Sequence, residues 1–71
     1  MMSLVSDLIE YRRTRLWLME NIERIRDSFR GNYIAVLGGK VVDNDSDKYS
    51  LISRLWSRGM LPGPVVIEYV R

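Results

Sequence analysis

The run Asp43-Asn44-Asp45-Ser46-Asp47 sets three carboxylates at alternate positions, the spacing of the first three ligands of a calcium loop. Such a loop also needs glycine at its sixth position and glutamate at its twelfth. Lys48 and Arg54 stand there, and a guanidinium in that place repels the ion. Acids spaced this way ahead of an apolar run serve as a polar turn and a helix cap, where Asp45, Ser46 or Asp47 is the capping residue. Gly38-Gly39-Lys40 has letters of a phosphate loop, but Val41 follows the lysine where Ser or Thr is required. Two glycines between two β-rich runs read as a hairpin turn.

Cations and aromatics interleave at Tyr11, Arg12, Arg13, Arg15 and Trp17. Such a cluster holds phosphates and stacks bases when its members share a face. On a helix each residue turns by ~100°, so these do not. Arg12, Arg13, Arg15 and Trp17 therefore define the second-ranked reading, a nucleic-acid contact, behind a solvated mixed-charge surface. Trp17 and Trp56 are read as core residues. The chain has no His and no Cys, which removes the usual base near neutral pH, thiolate chemistry and disulfides. Ser and Asp residues have no base of suitable pKa beside them. The expectation is a protein that is not an enzyme, with no cofactor and no metal.

The elements around these residues follow from periodicity. Leu4, Leu8, Tyr11, Leu18, Ile22, Ile25 and Phe29 recur at alternating steps of four and three, broken only at Arg15. Val5, Ile9, Leu16 and Met19 widen that stripe on one flank. This predicts one helix from Ser3 to Arg30, capped by Ser3 or Ser6 and closed at Gly31. A break near Thr14 is the alternative. Tyr33–Leu37 and Lys40–Asp43 make the hairpin. A second helix runs to Arg58 with Ile52, Leu55 and Trp56 inward, helped by Tyr49 and Leu51. Gly59 ends it, with Met60 placed for a Schellman contact. Val65–Val70 is the last strand. The order α-β-β-α-β predicts an α+β domain spanning residues 1–71, with a three-stranded antiparallel sheet of order 2-1-3 and both helices on one face.

Composition sets the outer limits. The chain has 71 residues, 46% hydrophobic and 28% charged, with net charge +2. That is globular composition with room for one small core. No apolar run approaches the ~18 residues of a membrane span. Asp7 and Glu10 interrupt the opening where a secretion signal needs an apolar stretch, so the expected setting is cytoplasmic. Arg in excess of Lys, with Gln, Cys and His missing, hints at a heat-adapted source.

The chain carries W-L-x-x-N (Trp17, Leu18, Asn21), G-N-Y-I-A-V (Gly31 to Val36), G-K-V-V (Gly39 to Val42) and P-G-P-V-V-I-E-Y-V (Pro62 to Val70). With these residues it resembles, from Trp17 to Val70, a family of small uncharacterised domains found mainly in archaea. The residues are turn glycines, strand apolars and helix-face apolars. The resemblance implies a fold and assigns no activity. Residues 1–15 lie outside it and read as a helical extension.

A core this small without disulfide or metal draws stability from association. A helix of 27 residues would span ~40 Å, twice the ~17–20 Å of these strands. The sheet cannot cover all of it. The expected function is a non-catalytic protein-interaction module that self-associates, as a dimer, through Leu4, Leu8, Tyr11, Arg15 and Leu18. A protein partner is the second occupant considered.

Overall fold

The computed structural model describes residues 4–71; Ser3, one of the two expected caps, lies outside the described residues. The elements are α1 (Leu4–Glu20), α2 (Ile22–Phe29), β1 (Tyr33–Leu37), β2 (Lys40–Asp45), α3 (Lys48–Ser57) and β3 (Val66–Tyr69). Ser6 falls inside α1. The sheet is antiparallel throughout, in the order β2-β1-β3. Class, strand order and a long first helix are as the pattern predicts.

The hairpin turns on Gly38 and Gly39, with φ of +59° and +77°. Two successive left-handed residues give the turn whose twist matches the strands, and only glycine adopts them without strain. α3 closes with a Schellman motif: Met60 N–H donates to the Leu55 carbonyl at 2.9 Å and Gly59 N–H to that of Trp56 at 3.0 Å.

The helices do not share a face. Ile34 and Val36 of β1 pack with Leu18, Ile25, Val66 and Val70 under α1 and α2. Ala35, the intervening residue, packs with Leu51, Leu55 and Val65 under α3. Alternate strand residues point to opposite faces, so α1–α2 lie on one side of the sheet and α3 on the other. The cause is the composition of β1. Tyr-Ile-Ala-Val-Leu has no polar residue at either parity, and both faces need cover.

Two further expectations change. The first helix breaks at Asn21 and not at Thr14. The Asn21 side chain donates to the Trp17 carbonyl at 2.8 Å and accepts from Arg24 at 2.5 Å. A side-chain amide competing for backbone carbonyls loosens the helix at that point. Thr14 is buried and its hydroxyl has no partner among the described residues. The second change is in α3. Leu51 and Leu55 are fully buried, whereas Trp56 is 56% exposed and Tyr49 79% exposed. Trp56 sits ~100° around the helix from Leu55, past the edge of the buried face.

This assignment predicts a contrast. Leu55→Ala removes a fully buried side chain and lowers stability by about 2–5 kcal/mol. Trp56→Ala changes it by no more than ~0.5 kcal/mol despite the larger truncation. Urea denaturation of the two variants measures the difference.

Candidate interaction surfaces

α1 lies on the sheet by one face and is apolar on the other as well. Toward the sheet are Thr14 and Leu18, with Trp17 partly buried against the same cluster. Glu10 reaches the hairpin: its Oε1 lies 3.8 Å from where a Cβ on Gly38 would be. The helix continues from there to Leu4, six residues or ~9 Å past the turn. Outward are Val5, Leu8, Ile9, Leu16 and Met19, between 48% and 68% exposed. Val5, Ile9, Leu16 and Met19, with Arg12 completing the steps, follow four-three-four-three spacing, the seam that another helix fits.

The expected interface residues are therefore divided. Leu8 is exposed and belongs to the outward face. Tyr11 is 41% exposed on its flank. Leu18 is 4% exposed and is core, so it offers nothing to a partner. Arg15 does not face the core, as the first seam required; Thr14 does, and Arg15 pairs with Glu68 of β3 at 3.1 Å. Leu4 is the first residue of α1, and its side chain is outside the described set. Val5, Ile9, Leu16 and Met19 are interface candidates that the first seam treated as flank. Their own heptad spacing is the signal that identifies them.

The expected nucleic-acid residues are also spread out. Arg12 and Arg13 are exposed, and Arg15 is held by Glu68. Trp17 packs on the core cluster and against the hairpin, 3.6 Å from where a Cβ on Gly39 would be. A ring held there does not stack on a base.

The acidic run is fully engaged. Arg54 reaches from α3 to β2, donating from Nε to Asp43 at 3.0 Å and from Nη1 to Asp45 at 2.7 Å. Its Nη2 donates to Asp43 at 3.1 Å and to the Asn44 carbonyl at 3.0 Å. Arg58 approaches Asp43 at 3.7 Å. Asp47 caps α3, accepting from Tyr49 N–H and the Ser50 hydroxyl, each at 3.0 Å. The arginine at the calcium loop's twelfth position occupies the carboxylates. Among the described residues no group of three or more His, Cys, Asp or Glu is placed to hold a metal, and no helix is long and apolar enough to cross a membrane.

Both carboxyls titrate below the ordinary carboxylate range. For Asp43 the Arg54 fork is the main cause; for Asp45 it is the Asp47 N–H, with Arg54 second. Arg54 is raised in turn by both acids.

No family model, no curated protein and no solved structure matches the chain. The functional reading therefore rests on residues and geometry.

A depressed carboxyl pKa means that the folded state binds protons more weakly than the unfolded chain. The stabilisation is complete above the unfolded pKa of about 3.9 and is lost as pH falls through it toward the folded values. Melting temperature is expected to drop across that window. Asp43→Asn lowers it at pH 7 and flattens the drop; thermal melts from pH 7 to pH 2 measure both.

Proposed function

We propose that this chain is a non-catalytic protein-interaction module that forms a homodimer through the outward face of α1. The observation that supports it is the second apolar seam, Val5, Ile9, Leu16 and Met19 with Leu8 beside it, left in solvent by a helix whose other face lies on the sheet. A second copy is the occupant for two reasons. These side chains expose roughly 500 Å² per chain, so pairing two copies buries ~1,000 Å², the lower bound for a specific interface. The core is also divided between two faces of a 71-residue chain without disulfides, the situation in which oligomerisation supplies missing stability. Arg12 lies in the seam and is exposed, and a side chain of its length can keep its charge in water beside an apolar contact. An interface of this area dissociates on dilution.

The same reading places the protein in the cytoplasm of a heat-adapted, archaeal-type source, in keeping with its excess of Arg over Lys, its lack of Cys and its resemblance to the small archaeal domains. The pairing is its working part; no catalytic role is proposed.

Light scattering across a concentration series tests the dimer. The expected mass is twice that of the chain at high concentration, falling toward one on dilution. Ile9→Glu with Leu16→Glu is expected to give a folded monomer throughout, and Trp56→Glu to leave the dimer intact. A wild-type monomer at every concentration overturns the reading.

A further inference from the structure

β3 is an edge strand with a charged groove along its open side. Val70 directs its N–H to the Asn32 carbonyl at 2.9 Å and its carbonyl to Gly31 N–H at 2.8 Å, both toward β1. Alternate residues of an antiparallel edge strand turn their backbone groups the opposite way. The N–H and C=O of Ile67 and Tyr69 therefore point outward, and no turn, loop or cap hydrogen bond among the described residues uses them. Such a row is a template for an added strand.

The groove beside this edge has a volume of about 300 Å³ and runs between β3 and the α1–α2 bend. On the helix side it presents Arg15, Met19, Ile22 and Arg26; β3 and the residues after it add Glu68 and Arg71. Three arginines thus line it and Glu68 is its one acidic side chain. Glu68 holds Arg15, and among the described residues the Arg26 guanidinium makes no ion pair or hydrogen bond. On the other face of the strand the neighbours are apolar. Ile67 packs into the α3-side cluster, and Tyr69 is 46% exposed with its ring centroid 4.9 Å from that of Tyr33.

We infer that the free edge of β3 is a docking site for an extended peptide segment of another protein, acidic and apolar at alternate positions. The backbone of the guest pairs with Ile67 and Tyr69. Its side chains alternate across the sheet. Acids on one side meet Arg26 and Arg15; apolar residues on the other rest on Ile67 and the Tyr33–Tyr69 pair. Glu68 is a built-in competitor, since an arriving carboxylate must share Arg15 with it. This surface adjoins the outward seam of α1, with Met19 at their common border, and its occupant is of a different kind.

The test uses the full chain and fluorescein-labelled, end-blocked hexapeptides alternating Glu and Val, Gln and Val, or Lys and Val. In low salt the Glu/Val peptide is expected to bind at least tenfold more tightly than the Gln/Val peptide, and the Lys/Val peptide not at all. Amide resonances of Ile67 and Tyr69 are expected to shift on titration. Arg26→Glu is expected to weaken the Glu/Val peptide at least tenfold. Glu68→Gln is expected to tighten it severalfold, an effect that a loss of folding does not produce. Equal binding of the Glu/Val and Gln/Val peptides, absence of binding in low salt, or shifts that omit Ile67 and Tyr69 overturn the inference. So does protection of those two amides from hydrogen exchange in the free protein, which would place a second copy on the edge.

Discussion

β1 has no exposed side of any kind. Its edges are taken by β2 and β3, and its faces carry Ile34 and Val36 in one direction and Ala35 in the other, all buried. A chain of this length has few residues with which to cover two faces. Splitting its helical segments, α1 and α2 to one side and α3 to the other, is the arrangement that does it. Each side then receives a thin layer. The apolar surface that remains on α1, the exposed Trp56 and the open flank of β3 are what a divided cover leaves uncovered.

Two local features make the split workable. The first is the irregularity in the β1–β2 register, where Ala35 faces Asp43 and Val36 faces Val41, leaving Val42 as the extra residue. A bulge shifts the parity of everything beyond it by one. Val41 remains on the α1–α2 side while Val42 packs toward α3, and the residues that follow bring Asp43 and Asp45 round to the same side as Arg54. The fork that ties α3 to β2 thus depends on the strand setting its surplus residue aside in the bulge. The second feature is Asn21, which interrupts the helix and lets Ile25 and Phe29 follow the sheet when a straight rod would leave it.

Much of this was legible from residue order. Gly38-Gly39, Gly59-Met60 and Asp47 act within four or five residues of themselves, so local rules locate the hairpin, the helix end and the cap. Strand order followed from connection rules. What was misread concerns choices made at a distance. Tyr33–Leu37 shows its two-faced character openly, being apolar at every position, yet the two-helix, one-face arrangement ignored it. α1 carries two nearly opposed seams, and periodicity cannot rank them; the sheet selects the one containing Thr14 and Leu18, one residue out of step with the seam through Arg15. The expected inner face of α3, Ile52, Leu55 and Trp56, is centred too far round, since Leu51 and Leu55 set the buried direction by angle. The groove beside β3 joins residues about fifty positions apart, Arg15 and Glu68, and no spacing rule reaches that far.

The bulge also sorts the kinds of change this lineage can absorb. Swapping Val42 for another aliphatic residue leaves the alternation of β2 as it is. Losing it by deletion would set Val41 next to Asp43 in a regular ladder, keep Val36 opposite Val41 and Ala35 opposite Asp43, and leave the Arg54 fork in place. Gaining a residue between Val41 and Asp43 is the harmful change: a bulge that already absorbs one surplus residue would have to absorb two, or Asp43 and Asp45 would turn toward Leu18 and Ile25. Descendants can therefore drift in letter along β2 and shed the residue at Val42, and an alignment of them would show gaps at that one column and no insertions beside it.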